Sequence, residues 1–309
     1  MTEHSFRTVP VTTLANGHEV TLPVHTLTGD VGGPRLGVVS GIHGDEPLAV
    51  ETVRRFLTEL AREDLIGSVL AVPVANPYAH MALTRGTPLD GENLNRIFPG
   101  NAGGTLTAQI AAKLVELFTG NVDYVIDFHS GGLTACVDYA YLSQDEGMSR
   151  AYGADLLYRG PGYVGTFTSI MQEAGVPALV SEFGGASARI GHYLDKGVRG
   201  ALNVARYLGF LKGEVIETPG QRIITDLRVL SPQTGGIMLS DFEPERLGEQ
   251  IPGGTVLGRV VSPYSFEELE VIRAPFDSTL LVLTRPAYSN VAPGDYGFMV
   301  ADAASASPA

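Results

Sequence analysis

The stretch that decides the fold is LGVVSGIHGDEPLAVETVRRFLTELAR, residues 36–62, because it joins a strand pattern to a helix pattern. Residues 36–40 are β-like, and a glycine-containing turn at residues 41–45 ends that run. From residue 47 to residue 62 the apolar side chains recur close to helical spacing. Pro47 suits the first helical position, which makes Glu46 the residue that precedes the helix. The stretch therefore predicts a strand, a short loop and an amphipathic helix.

The same alternation of strands and helices continues to about residue 212. Apolar β-like runs predict strands at residues 69–74, 122–128 and 178–181. Helical spacing predicts helices at residues 107–118 and 190–211. Strands that alternate with helices are typical of an α/β fold, so we predict a mixed, largely parallel sheet flanked by helices.

The texture of the sequence changes after Gly213. Short β-like runs separated by glycine and proline turns follow at residues 225–230, 236–239, 255–261, 269–274 and 279–283. Such runs are typical of a small all-β module. We therefore predict two domains, residues 1–213 with the α/β pattern and residues 214–309 with the β pattern.

The net charge and the hydropathy of the chain disfavour several classes of partner. The chain has 309 residues and a formal net charge of -13, which disfavours binding to nucleic acid or to anionic lipid. No segment approaches the ~18 uninterrupted apolar residues of a membrane span, and the N-terminus lacks a signal-peptide core. We therefore expect a cytoplasmic protein with no membrane contact. The single cysteine, Cys136, excludes an internal disulfide and a multi-cysteine zinc cage.

Polar side chains follow the predicted strands at the edge where α/β proteins collect their ligands. His43, Asn76, His129 and Glu182 each come just after a predicted strand. Two imidazoles and a carboxylate form a familiar ligand set for catalytic zinc, and Glu46 lies three positions after His43 in the same loop. The pattern alone leaves alternatives open: a solvated loop or helix cap for His43 and Glu46, and a hydrogen-bonded core histidine for His129.

Four motifs, taken in order, resemble those of one family of hydrolases. They are Gly41-Ile-His-Gly-Asp-Glu46, Glu92-Asn-Leu-Asn-Arg-Ile-Phe-Pro-Gly100, Asp127-Phe-His129 and Ser181-Glu-Phe-Gly-Gly185. Together they resemble the succinylglutamate desuccinylase/aspartoacylase family, a branch of the zinc carboxypeptidase-like hydrolases, over roughly residues 35–212. The resemblance implies the zinc-carboxypeptidase-like form of the α/β fold.

The resemblance also implies the metal and the catalytic base. One Zn2+ per chain would be held by His43, Glu46 and His129, and Glu182 would be the general base. A carboxylate in that place can take a proton from water and return it to the leaving amine. Asp127 lies two positions before His129 and shares its strand face, so we interpret it as a supporting residue rather than as a fourth ligand.

Three further residues receive roles from the resemblance, Asn95 and Arg96 in substrate binding and Arg85 in catalysis. Asn95 and Arg96 would hold a substrate carboxylate, for which a planar guanidinium fork is well suited. Arg85 would polarise the scissile carbonyl, because a guanidinium can stabilise the oxygen charge that develops in the transition state. The ordinary alternative for both arginines is a solvated surface charge.

A second resemblance concerns the C-terminal domain. Arg273-Ala-Pro-Phe-Asp-Ser278 and Val291-Ala-Pro-Gly-Asp295 resemble the barrel-sandwich fold of biotinyl and lipoyl domains. No lysine occurs after Gly213, so neither biotin nor lipoate can be attached there. We expect this domain to be a cap or an oligomerisation element, which makes a homo-oligomer one state to consider.

The resemblance is incomplete at the residues that would select the substrate. Aspartoacylase carries a further arginine about ten residues before its general base, whereas residues 160–181 contain neither lysine nor arginine. A dicarboxylic substrate is therefore disfavoured. We predict a small-molecule substrate, an N-acyl amino acid or a similar carboxylate-bearing amide, hydrolysed by a zinc-dependent deacylase. The alternatives are a metallocarboxypeptidase for short peptides and a non-catalytic metal- or ligand-binding homologue. The absence of a G-x-S-x-G motif disfavours a serine hydrolase.

Overall fold

The computed structural model of the chain describes residues 2–187 and 189–309. Up to residue 207, strands and helices alternate after an N-terminal β-hairpin. In chain order these elements are β1 (Glu3–Thr13), β2 (Glu19–Thr28), β3 (Asp30–Val39), α1 (Pro47–Leu60), β4 (Ile66–Val72), α2 (Pro77–Ala82), α3 (Leu106–Phe118), β5 (Tyr124–His129), β6 (Cys136–Tyr141), α4 (Glu146–Tyr152), β7 (Leu156–Tyr158), α5 (Phe167–Glu173), β8 (Ala178–Gly185) and α6 (Ile190–Tyr207). A 3-10 helix, Leu94–Arg96, lies between α2 and α3.

Residues 208–309, all of which the structure describes, form strands and short 3-10 helices. The strands are β9 (Arg222–Ile224), β10 (Leu227–Leu230), β11 (Gly236–Ser240), β12 (Gln250–Pro252), β13 (Val256–Val261), β14 (Glu268–Arg273), β15 (Ser278–Thr284), β16 (Ser289–Val291), β17 (Phe298–Asp302) and β18 (Ser307–Pro308). The 3-10 helices are Pro244–Arg246 and Ala303–Ser305. The β-rich texture predicted for this part of the chain is therefore present.

The central sheet is mixed and carries parallel strands at its middle. Its main path runs β1-β2-β4-β3-β5-β8-β6-β15-β17-β10, in which β4, β3, β5 and β8 are parallel neighbours. A second sheet has the order β14-β13-β11-β16. The mixed α/β fold predicted from the sequence is confirmed.

The C-terminal strands extend the central sheet as well as building the second one. Strand β15 pairs with β6, where Leu283 lies opposite Val137, and β9 pairs with β7. The division into two domains near residue 213, and the barrel-sandwich form of the second, stay predictions.

Two apolar layers cover the parallel strands, which explains why those strands are apolar on both faces. In β5, Ile126 and Phe128 contribute to the core on one face and Val125 to the core on the other. Helices α1 and α6 bury their apolar stripes against the first face, and α3 and α5 cover the second. The helical spacing of residues 47–62 therefore reflects real burial in a three-layer arrangement.

Several boundaries differ from the sequence prediction by a few residues, and two of the differences have a clear structural cause. Helix α6 ends at Tyr207 rather than near residue 211, because the turn that follows includes Gly209 at φ 80, a conformation that glycine adopts freely. Strand β8 continues past Ser181 to Gly185, because its last residues pair antiparallel with β6. Glu182 therefore lies inside a strand instead of after one. None of the described helices combines the length and the apolar composition needed to cross a membrane.

Candidate metal centre

His43, Glu46 and His129 meet at the carboxyl ends of the parallel strands β3 and β5. Their ligand atoms all lie within 4.8 Å of one another, and all three side chains are buried. His43 Nδ1 is 2.8 Å from Glu46 Oε1, and His129 Nδ1 is 3.0 Å from Glu46 Oε2. Among residues 2–187 and 189–309 this is the one group of three or more histidine, cysteine or acidic side chains placed to hold a metal ion.

The loop before α1 is shaped to present two of these side chains together. A β-carbon on Gly44 would stand 1.9 Å from the Ala79 carbonyl oxygen, so only glycine allows this close approach. Glu46 occupies the N-cap position of α1, but its side chain makes no capping hydrogen bond. It contacts the two imidazoles instead. The residue that precedes the helix therefore contributes its carboxylate to the site.

Neighbouring side chains orient both imidazoles. His43 Nε2 lies 3.3 Å from Asn93 Oδ1, and His129 Nε2 lies 3.2 Å from Asp127 Oδ1. Both oxygens are acceptors, and with an ion bound at the Nδ1 lone pairs the proton of each ring would lie on Nε2, facing them. Neither Asp127 oxygen has a hydrogen bond of good geometry within the described part of the chain. Two buried carboxylates and two oriented imidazoles fit Zn2+, a borderline-soft cation.

The pKa values of the triad follow from its burial and from the charges that surround it. Burial lowers the pKa of His43 to about 4, so its imidazole is neutral at pH 7. Burial opposes ionisation of His129 too, but the carboxylates of Asp127 and Glu46 outweigh it and raise the pKa of His129 well above its usual value. The two imidazoles likewise outweigh burial at Glu46 and lower its pKa. The centre thus concentrates negative charge that a bound cation would neutralise.

Glu182 lies beside the triad on the next strand. In the register of β5 and β8 it is the partner of His129, and its side chain lines the same cavity. Burial raises the pKa of Glu182 to about 7. A carboxylate with that pKa can both accept and donate a proton near neutral pH.

The structure brings Arg85, predicted as catalytic, and the two predicted substrate-binding residues Asn95 and Arg96 to the same cavity, which has a volume of about 600 Å³. Arg85 Nη1 lies 3.5 Å from Glu46 Oε1, and its side chain is 45% exposed. Asn95 Oδ1 accepts the Phe167 backbone N–H at 3.1 Å, and its amide nitrogen lies 3.4 Å from His129 Nε2. Arg96 donates from Nη1 to the Asn95 carbonyl oxygen at 2.6 Å.

Asn76, the remaining strand-end residue, supports the site from outside. Its side chain caps α2 and donates to Thr87 Oγ1 at 3.0 Å. Thr107 Oγ1 donates to the same Thr87 oxygen at 2.6 Å, and it also contacts Asp90 at 2.7 Å. This buried network fixes the loop that carries Arg85.

Several cavity residues escaped the sequence interpretation. Asn93 contacts His43, and Tyr163 stacks beneath Arg96 with 4.3 Å between the guanidinium carbon and the ring centroid. Arg285 and Tyr296 reach the cavity from the C-terminal part of the chain. Asn93 belongs to a quoted motif, so its position could have been noticed. Tyr163 begins a neutral, hydroxyl-rich stretch, and Arg285 and Tyr296 closely follow a predicted strand and the Val291–Asp295 motif, but none of these patterns indicated a contact with Arg96 or with the cavity.

Comparisons with known proteins agree with the geometry. Residues 32–208 match the family model of the succinylglutamate desuccinylase/aspartoacylase catalytic domain. The N-alpha-acetyl-L-2,4-diaminobutyric acid deacetylase of Halomonas elongata is 27% identical over 94% of this chain and 89% of its own length.

Solved structures give the same result over nearly the whole chain. A succinylglutamate desuccinylase from Silicibacter sp. TM1040 has a TM-score of 0.81 at 26% identity, covering 97% of this chain and 94% of its own. The product-bound ectoine utilization protein EutE (DoeB) from Ruegeria pomeroyi has a TM-score of 0.83 at 24% identity, covering 97% and 95%, and shows the shared fold. With its motifs, its fold and a family model matched over more than half of its length, this chain belongs to the succinylglutamate desuccinylase/aspartoacylase family.

Proposed function

We propose that this chain is a zinc-dependent hydrolase that cleaves the amide bond of an N-acyl amino acid. The observation that carries the proposal is the convergence of His43, Glu46 and His129 in one cavity with Glu182 beside them. Family membership and the relative from Halomonas elongata, a deacetylase of an N-acetyl amino acid, support it. When bound, zinc would supply the Lewis acidity that makes water nucleophilic at neutral pH.

Glu182 is the group that moves protons in this proposal. It takes a proton from the attacking water and returns it to the nitrogen of the leaving amine. Burial raises the pKa of Glu182 to about 7, so the group can both hold and release a proton near neutral pH. The product is a carboxylate from the acyl group and a free amino acid.

The arginines and Asn95 bind and orient the substrate. Arg85 is half-exposed and lies beside the triad, so its guanidinium can reach the oxygen that becomes negative in the transition state. A single donor of this kind is worth roughly 3 to 4 kcal/mol. Arg96 and the Asn95 amide nitrogen line the cavity and would hold the α-carboxylate of the amino acid.

The charges of the cavity support a substrate without a second carboxylate. Three cations line it among the described residues, namely Arg85, Arg96 and Arg285. Arg285 is buried and donates to the carbonyl oxygens of Tyr296 and Asn290, so it is already engaged. The acidic residues that line the cavity in addition to Glu46 and Glu182 are Asp45, Glu173 and Asp295. A neutral or amine-bearing side chain therefore fits better than an acidic one.

A metal analysis combined with a substrate panel tests the proposal. The panel contains N-acetyl-2,4-diaminobutyrate, N-acetylalanine, N-acetylaspartate, N-succinylglutamate and dipeptides. We expect one zinc per chain and turnover of the first two compounds in preference to the dicarboxylic ones. Preferred cleavage of dipeptides would instead favour the carboxypeptidase alternative. No turnover of any N-acyl amino acid by the zinc-loaded protein would contradict the proposal.

Replacement of the proposed base gives the second test. Glu182→Gln keeps the shape of the side chain but cannot take a proton, so we expect kcat to fall by about 10² to 10⁴ with the zinc content unchanged. Glu63→Gln, a change at an exposed carboxylate, is the matched control and should leave kcat as it is. Equal turnover by Glu182→Gln and the unaltered protein would remove Glu182 from the mechanism.

A further inference from the structure

A segment from the C-terminal part of the chain is held rigidly against the cavity by Arg285. This side chain is 7% exposed, and each of its three guanidinium nitrogens has a contact within the protein. Nε donates to the Tyr296 carbonyl oxygen at 2.6 Å, and Nη1 donates to the Asn290 carbonyl oxygen at 3.1 Å. Nη2 lies 3.4 Å from Asp295 Oδ2. Arg285 therefore contacts two backbone carbonyls and one side-chain carboxylate of the segment 290–296, which carries Tyr296.

Tyr296 in turn contacts the loop that lies over Arg96. The hydroxyl groups of Tyr296 and Tyr163 are 3.3 Å apart. The Tyr163 ring stacks on the Arg96 guanidinium with 4.3 Å between guanidinium carbon and ring centroid. The same loop approaches the Arg96 backbone at Gly165, where a β-carbon would stand 2.3 Å from the Arg96 carbonyl oxygen.

We propose that Tyr296 is a positioning residue for Arg96 and acts through the Tyr163 ring. The proposal rests on the proposed function, in which Arg96 binds the substrate α-carboxylate. Arg96 has one backbone anchor, the Asn95 carbonyl oxygen, and its long side chain has many rotamers. The stacked ring selects one plane for the guanidinium, and the hydroxyl contact selects one position for the half-exposed ring. The C-terminal part of the chain thus helps to shape the carboxylate subsite.

The physical consequence is a change in substrate affinity rather than in chemistry. Tyr296→Phe keeps the ring and removes the hydroxyl contact, so we expect KM for N-acetylalanine to rise about three- to tenfold with kcat nearly unchanged. Tyr163→Phe removes the same contact from the other side and should match it. Tyr163→Leu also removes the stacking and should raise KM further. Tyr288→Phe, in the same segment and 81% exposed, is the matched control and should change neither constant.

A double-mutant cycle separates positioning from a general structural effect. In an Arg96→Ala background, Tyr296→Phe should no longer change the affinity, because the residue it positions is gone. Hydrolysis of N-acetylalaninamide, which lacks the carboxylate, should be equally insensitive to Tyr296→Phe. A Tyr296→Phe effect that persists undiminished in either case, or that falls on kcat, would overturn the proposal.

Direct binding distinguishes failure of this inference from failure of the proposed function. The dissociation constant of N-acetylalanine is measured by calorimetry on the zinc-loaded full chain carrying Glu182→Gln, which retains zinc and turns the ligand over slowly. Protein that binds the ligand, with an unchanged dissociation constant in Tyr296→Phe and Tyr163→Phe, refutes the positioning role alone. Protein that binds no N-acyl amino acid refutes both. A weakening shared by the two Phe variants, with kcat nearly unchanged, supports the inference.

Discussion

Replacement of Asp127 by asparagine probes the charge behind the metal centre. Asp127 is fully buried, and Oδ1 lies 3.2 Å from His129 Nε2. Two unit charges at that separation interact by about 5 kcal/mol at an effective dielectric constant of 20, which sets an upper limit. Only part of an ion's charge resides on a liganding imidazole. Loss of such a supporting partner typically weakens metal binding about 10- to 100-fold, or about 1.4 to 2.7 kcal/mol.

We therefore expect Asp127→Asn to bind zinc about 10- to 100-fold more weakly than the unaltered protein. Competition with a chromophoric chelator at fixed pH measures this change directly. Asp123→Asn is the control, because Asp123 forms its ion pair with Arg35 at the surface, 2.6 Å away, and should leave zinc affinity unchanged. Equal zinc affinities for Asp127→Asn and the unaltered protein would refute the assignment of His129 Nδ1 as a ligand atom oriented from Asp127.

Three further changes test the site and the fold. Because the pKa of Glu182 is raised from 4.5 to about 7, the folded metal-free protein holds a proton there that the unfolded chain has released between these pH values. The free energy of unfolding should fall as pH rises across that window, and Glu182→Gln should remove this contribution in urea titrations. Lys196→Met breaks the buried ion pair with Asp138, 2.7 Å long, and should cost about 3 to 5 kcal/mol in urea unfolding. Gly44→Ala forces a β-carbon against the Ala79 carbonyl and should lower both zinc affinity and the thermal midpoint.

Each of these changes has a matched control. The change of the free energy of unfolding with pH must differ between the unaltered protein and Glu182→Gln. The same pH dependence in both would rule out the raised pKa of Glu182. Lys113→Met removes a surface ion pair and should cost less than about 1 kcal/mol. Gly191→Ala adds a β-carbon to a helix where nothing lies within 4 Å, so it should be neutral or stabilising. A Lys196→Met cost as small as that of Lys113→Met, or an unaffected Gly44→Ala protein, would contradict the corresponding argument.

The parts of the molecule that the sequence predicts are those governed by local periodicity. Helix α1 and strand β5 appear where the apolar spacing predicts them, because the apolar side chains at that spacing are the ones that become buried. The metal centre follows from the same source. Once β3 and β5 are neighbours in a parallel sheet, the residues after or at their ends, His43 and His129, must lie at one edge.

The parts that the sequence does not predict depend on distant contacts. Strands β1 and β2 are mostly polar on their outer face, and their place is set by pairing between β2 and β4. Glu182 was expected after a strand, yet pairing with β6 extends β8 beyond it. Tyr296 lies at the cavity with its backbone carbonyl bound by Arg285, and no pattern in the sequence indicates this contact.

The pairing of β6 with β15 also has a consequence for the order of biosynthesis. Strand β6 leaves the ribosome long before β15. Strand β7 covers part of β6 soon after synthesis, but the part that pairs with β15, at Cys136 and Val137, stays open until nearly the whole chain has emerged. Open strand edges are templates for mispairing between chains, and contacts between distant segments form slowly. Nascent chains should therefore rely on chaperone shielding between these two events, and premature termination after α6 should yield aggregating fragments rather than a smaller working enzyme.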